Sequence, residues 1–379
     1  MIYDAIVVGL GGMGSSVLAH AAERGMRVLG LERFERDHDR GSSSGRSRII
    51  RKAYFEDPAY VPLLHHAYDQ WRALEAATGL DILRITGVLL TGAPGDEAVD
   101  NARASAIQHG IPYEELDARE IARRFPRFAP QPSDVAMFEP GAGIVVPERA
   151  IEGYLRVAEN AGAEMRFTTP LIGWHATARG TYVVAAADGE RYEAQRLVLC
   201  LGAWFESIAR GIGIPLHVER RVQHWFAPSG PGYGPGDVPT WLVDRAEQPS
   251  RMYGFPDLGD GVKAAFHGTG EHTHADDLDR EVRPSDIAPL RAALEAWLPG
   301  STATYLGGKV CMYTLTPDEH FVLGLHPDDP HIVIAGGFSG HGFKFASAIG
   351  DVVTELLVDG ASRHDIRFLS PARFRQVPA

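Results

Sequence analysis

Ile6, Val7 and Val8 form an unbroken apolar run, the pattern of a strand buried on both faces. Gly9, Gly11 and Gly14 follow at once. Val17, Leu18 and Ala21 then recur at helical spacing until Gly25 closes the segment. A second apolar run, Val28 to Leu31, ends in Glu32. The order predicts strand, tight turn, helix and second strand.

Further along, residues 59–78 place Leu63, Leu64, Ala67, Trp71 and Leu74 on one helical stripe. "ITGVLLTG" predicts a strand, and residues 96–125 predict two helices around Gly110. "AMFEPGAGIVVPERAIEGYLRVAENAGAEMRF" predicts a loop and a helix returning to a strand. "RLVLCLGAWF" is a buried strand ending at Gly202, with Cys200 inside it as a structural thiol. "HIVIAGGFSGHGFKFASAIGDVVTELL" repeats the design of strand, glycine turn and helix. Residues 216–310 are β-rich, with proline-glycine turns such as "GPGYGPGDVP".

The fold class expected is α/β plus α+β. A Rossmann-like nucleotide domain would be assembled from residues 1–85, 141–215 and 311–379, and a mostly antiparallel β domain for substrate from 86–140 and 216–310.

Composition narrows the partners. The chain has 379 residues, 45% of them hydrophobic, enough for a substantial core. Its 37 basic and 49 acidic side chains leave a net charge of −12, which argues against nucleic acid as a partner. No apolar run approaches the ~20 residues that span a bilayer, so no membrane partner is expected. The N-terminus lacks a basic and apolar leader pattern, and two cysteines make no disulfide framework. A cytoplasmic location is the expectation.

The opening motif carries the first chemistry. Gly9 permits the tight turn, Gly11 lets backbone approach a pyrophosphate, and Gly14 lets helix and strand pack closely. The helix N-terminus faces phosphate charge, and an acid about twenty residues on binds ribose hydroxyls. Glu32 in that position favours FAD or NAD over a 2′-phosphorylated nucleotide. After Glu32 comes "RFERDHDRGSSSGRSRIIRKAYFEDPAYVP", a loop rich in glycine, serine and arginine. Such a loop suits further phosphate or ring contacts, which points to FAD.

Several stretches together resemble the monomeric sarcosine oxidase and N-methyltryptophan oxidase family of flavoenzymes. They are "GRSRIIRKAY", "VCMYTLTPDEHFVLGLHP" and "AGGFSGHGFKFAS", with "YGFP" and "VKAAFHGTG" in support. The resemblance runs nearly end to end. It implies FAD joined through its 8α-methyl carbon to the cysteine of "CMYT", here Cys311. It implies a cofactor site of Gly9, Gly11, Gly12, Met13, Gly14, Glu32, Arg33, Ser42, Ser43, Arg48, Gly202, Cys311, Met312, Gly340, Gly342, Phe343 and Lys344. It also implies that Arg51 and Lys344 hold a substrate carboxylate, with Tyr253 lining the cavity. Lys263, His267, Arg48 and Tyr313 take catalytic roles by the same resemblance, Lys263 as the cation that activates O2. The implied protein is a monomer acting on a small secondary amino acid.

The residues support these roles on physical grounds. A guanidinium fork donates two parallel hydrogen bonds to a carboxylate. Cationic surroundings favour a cysteine thiolate. Backbone N–H groups at a helix start stabilise charge on a reduced flavin. No metal is expected, because His272, His274, Asp276 and Asp277 share one polar loop without a distant partner.

This chain also departs from the family pattern. Ser42, Ser43, Ser44 and Gly45 stand where a Ser-His-His-Gly sequence is common, and Arg46 replaces an acid. Phe55 and Glu56 replace a glycine-containing turn, and Met252 stands at a tyrosine position. The expected activity is oxidation of N-methyl or other secondary amino acids to imines, with O2 reduced to H2O2. A dehydrogenase using another acceptor, and a non-oxidase flavin- or nucleotide-binding module, are the alternatives.

Overall fold

The computed structural model describes residues 1–268 and 270–375. Its organising layer is an eight-stranded sheet in which β1 (Ile2–Val8) pairs in parallel with β2 (Val28–Leu31) on one side and with Arg191–Leu199 on the other. Glu164–Arg166 extends the sheet beyond β2, and Asp329–Gly336 pairs in parallel with Arg191–Leu199. Three remote stretches of chain therefore meet in one layer. Helix α1 (Gly12–Glu23) lies over it with Val17, Leu18, Ala19 and Ala21 at 0% exposure. The C-terminal helix Ala346–Asp359 is buried along nearly its whole length and packs on α1. Both faces of these strands are covered, which is why they read as continuous apolar runs.

A nine-stranded sheet forms the second layer. It takes Val88–Gly92, Glu114–Asp117 and Val135–Glu139 from the first half of the chain. The remainder, His217–Ala227, Thr240–Val243, Arg251–Phe255, Val262–His267, Glu271–Thr273 and Thr304–Leu315, comes from the second half. Its pairings are antiparallel except that between Val88–Gly92 and Thr240–Val243. The longest register joins His217–Ala227 to Thr304–Leu315, with Arg221 opposite Cys311 and Glu219 opposite Tyr313. A small sheet of Arg48–Ile50, Leu83–Ile85 and Gly143–Val145 sits apart from both.

Several expectations are corrected locally. The run "ITGVLLTG" is not one strand, because Gly87 at φ 71° turns the chain between the small sheet and Val88–Gly92. Between the two helices flanking Gly110 the chain inserts strand Glu114–Asp117, and the Asp117 side chain caps the helix Ala118–Arg124. Cys200 lies just past its strand, and burial pushes its thiol up to about 12. The β-rich stretch 216–310 also holds a helix, Pro284–Trp297, whose Leu290, Leu294 and Trp297 are buried. The strand Thr304–Leu315 runs through residue 311, where a domain boundary was expected, and belongs wholly to the antiparallel sheet.

The turn from β1 to α1 depends on a close approach. A Cβ on Gly14 would sit 1.7 Å from the Gly9 carbonyl oxygen, which is backbone and cannot step aside. Gly9 itself has φ 89°. A Gly14→Ala variant should therefore lose at least about 2 kcal/mol of stability by overpacking, measured by urea unfolding. Unchanged stability would mean that helix and strand are not so close.

Candidate active site

A cavity of about 710 Å³ runs from the Gly9–Met13 turn to His267 and Tyr313. At its nucleotide end, the N-cap of α1 is Gly11, which has no side chain to cap the helix itself. The Gly12 N–H donates to Ser43 Oγ at 3.1 Å, which ties the serine loop to the turn. Glu32 lines the same end and accepts the Leu10 N–H at 2.7 Å and the Phe34 N–H at 3.1 Å. Burial works against its ionisation, but these donors and His38 hold its pKa below the usual range. Arg33 stands at the rim over Phe34 and Trp204 and pairs with Asp276 at 2.8 Å. Met13, Ser42 and Gly202 also line the wall. Gly14 does not, since it serves the helix–strand contact.

The arginine loop bends over the middle of the cavity. Arg48 donates to the carbonyl oxygens of Ser42, Ser44 and Ser47, so its guanidinium organises this loop from inside. Lys263 donates to the Gly45 carbonyl at 2.6 Å and the Ser47 carbonyl at 2.9 Å. It is 2% exposed and absent from the cavity wall. Burial first, and Arg48 next, depress its pKa well below the lysine range. The expectation of a cation facing the ring thus meets a lysine turned into the 45–47 loop.

Beyond it the structure brings Arg51 and Lys344 together at the far end. Arg51 is 4% exposed and donates to both oxygens of Glu56, at 2.9 and 2.7 Å. Its guanidinium also lies 3.9 Å from the centre of the Phe55 ring. Lys344 donates to the His341 carbonyl at 2.6 Å. Burial lowers the Lys344 pKa to about 7, with Glu56 opposing and Arg51 adding to the fall. Burial alone would raise Glu56, but Arg51, His341 and Lys344 hold it at about 2. Tyr54 Oη lies 2.6 Å from His341 Nδ1 and beneath both cations. A carboxylate is therefore already seated on Arg51 Nη2, while Nη1 donates to the Ala53 carbonyl, and that carboxylate belongs to the chain.

The opposite wall carries the aromatic and imidazole groups. His267 Nδ1 and Tyr313 Oη are 3.1 Å apart, and Tyr253 stands beside His267 on the neighbouring strand. Burial lowers the His267 pKa to about 3, so its ring is neutral at physiological pH. The Arg221 guanidinium lies 4.7 Å from the centre of the Tyr313 ring and pairs with Glu219. Cys311 is 3% exposed, and its sulfur accepts from Gln223 Nε2 at 3.2 Å. Met312, Gly340, Gly342 and Phe343 complete the wall.

Sequence reasoning left Tyr54, Gln223 and Glu148 without roles. Glu148 accepts the N–H groups of Gly45 and Arg46, and it lines the cavity. His272 does find distant neighbours, Glu219 at 4.0 Å and His217, the ligand atoms of the three lying within 4.8 Å of one another. Glu219 is already engaged by Arg221 and the Gly270 N–H, and the two imidazoles stack on each other.

The residues present fit FAD. The uncapped helix start suits a pyrophosphate, Glu32 a ribose, and the long cavity between two sheets a ring system beyond them. Residues 4–356 match the family model described as FAD dependent oxidoreductase. The chain is similar to a monomeric sarcosine oxidase of Streptomyces avermitilis, at 40% identity over 100% of this chain and 99% of that one. It is also similar to an N-methyl-L-tryptophan oxidase of Yersinia pestis, at 32% identity over 99% of this chain and 100% of that one. The fold matches NikD, an unusual amino acid oxidase essential for nikkomycin biosynthesis, with TM-score 0.86, 23% identity and 97% of both chains covered.

Lys344 gives this site a pH signature. Its native pKa lies below that of the unfolded chain, so between about pH 7 and 10 the unfolded state binds more protons. Stability should rise with pH across that window, by up to about 1.4 kcal/mol per unit from this one group. Urea unfolding of Lys344→Met beside the unsubstituted protein should show that increment missing; equal slopes would contradict it.

Proposed function

The chain belongs to the FAD-dependent oxidoreductase family, and on that footing we propose that it oxidises N-methyl or other secondary amino acids to imines at the expense of O2. The observation that carries this reading is the Glu56 carboxylate, both of whose oxygens accept from Arg51 Nη2 beside Lys344. A site that grips an internal carboxylate in this way is suited to a substrate carboxylate of the same geometry. Substrate would displace Glu56 and take over its partners. The sarcosine oxidase and N-methyltryptophan oxidase relatives, similar along the full chain, carry names of this class.

The surrounding charges prepare the amine. Arg48, Arg51 and Lys344 are cations near the place a substrate nitrogen would occupy, and they disfavour a second ammonium there. His267 is neutral and does not oppose the loss of that proton. Tyr313 and Tyr253 wall the amine in and exclude water from its reacting carbon. Bound FAD would supply the two-electron acceptor, with its pyrophosphate at the start of α1. The imine released would hydrolyse in water, and the electron pair would leave as H2O2.

Cys311 is proposed as the covalent anchor. Its sulfur accepts a hydrogen bond from Gln223 and lies in the neighbourhood of Lys263 and Arg280. Cys200 has no such company, only burial. The protein is proposed to work as a monomer.

A panel of N-methyl and cyclic secondary amino acids, assayed in air for peroxide, tests the reaction. Dye reduction without peroxide would make the protein a dehydrogenase, and no turnover of any amine would defeat the proposal. Arg51→Ala should raise the apparent KM by roughly 10- to 100-fold, as expected for loss of a bidentate charged contact of about 1.5–3 kcal/mol. Glu56→Gln should lower KM, because the competing carboxylate is gone. A KM that stays put in both variants would place the carboxylate site elsewhere.

A further inference from the structure

Gln223 is a polar residue in an expensive position. It is 2% exposed on the strand His217–Ala227, and its Oε1 has no hydrogen-bond partner among the described residues. An aliphatic side chain would fill such a place without leaving an amide oxygen unsatisfied. Among the described residues the side chain's polar contact is through Nε2, which donates to Cys311 Sγ at 3.2 Å.

The strand register explains the reach. Arg221 is opposite Cys311 and Gln223 is opposite Lys309, so Gln223 and Cys311 are diagonal neighbours on one face. A diagonal pair is too far apart for short side chains and within reach of a long one. The serine loop fixes the amide from its other side. Gly45 has φ 125°, and a Cβ there would lie 2.2 Å from Gln223 Oε1. The same loop is held down by Lys263 through the Gly45 and Ser47 carbonyls. Gln223 lines the cavity, whereas Cys311 lies behind the wall.

We propose that Gln223 is a positioning residue for flavin attachment: its amide N–H holds the Cys311 sulfur in place and stabilises it as the thiolate. The inference rests on the reading of Cys311 as the anchor. In the step it assists, the C–S bond forms at the 8α carbon while one C–H bond and the S–H bond break. Two protons leave to solvent, the electron pair stays in the ring system, and O2 removes it as H2O2. A charge-assisted hydrogen bond to sulfur favours the ionised form.

The test uses full-length apoprotein from riboflavin-starved cells, mixed with FAD in air. Attachment is followed by the flavin that stays with acid-precipitated protein and fluoresces in a denaturing gel. Gln223→Met keeps the volume and removes the donor. It should bind FAD yet attach it at least tenfold more slowly, with the pH profile of the attachment rate displaced upward. Gln223→Glu should be slower still, since a carboxylate opposes a thiolate. Gln223→Asn, with its amide one methylene short, serves if the methionine variant does not fold, and it should also be slow. Attachment at the unsubstituted rate, with an unmoved pH profile, would overturn the role of Gln223 alone. Flavin released from the unsubstituted protein by acid would instead overturn the Cys311 anchor, and this inference with it.

Discussion

Two cations buried in one cavity set the terms for the rest of the site. Arg51 and Lys344 come from opposite ends of the chain, are 4% and 6% exposed, and repel each other. A buried like-charge pair persists only if something of opposite sign is brought to it. Glu56 fills that need in this structure, and Lys344 goes further by easing its own charge toward a pKa of about 7. The loop carrying Glu56 is therefore tied to the site by electrostatics. An anionic guest at this place would compete with it directly, and on the proposed function recognition and the position of this loop would be one equilibrium. Phe55, beside Glu56 in the chain, lies 3.9 Å from the Arg51 guanidinium and 4.9 Å from that of Arg251.

Much of the frame was legible in the chain. The run from Ile6 to Glu32 gave strand, turn, helix and acid because two-sided burial, a phosphate-sized turn and helical periodicity leave separate marks on sequence. The roles of Tyr313 and His267 on the wall, and of Cys311 behind it, were legible only through the resemblance. No local pattern announces that Arg221 will stand opposite Cys311, for that register is a property of two strands far apart. Helix Pro284–Trp297 had its own signal in Pro284 and the spacing of Leu290, Leu294 and Trp297. The proline-glycine turns on both sides drew attention from it. Gln223 had no signal at all, since one glutamine in "RRVQHWF" is unremarkable until its neighbour across the sheet is known.

The two thiols show how environment divides identical groups. Cys200 meets the turn at Gly9 and Gly14, with desolvation as the sole influence on its pKa, which rises to about 12. Cys311 sits near Lys263 and Arg280 and receives a hydrogen bond. Both are buried free cysteines, so exposure does not separate them. The distinction lies in what a negative sulfur would find around it.

The strand Thr304–Leu315 belongs to the antiparallel sheet, while the turn at Gly9–Gly14 belongs to the parallel one. If Cys311 is the anchor, a cofactor clasped by phosphate contacts at the second and bonded to sulfur at the first would be a cross-brace between layers that also meet where the Ser339 N–H donates to the Thr314 carbonyl. Prying the layers apart would then require stripping the nucleotide end as well, so the loaded protein should open as one body where the empty one opens in two.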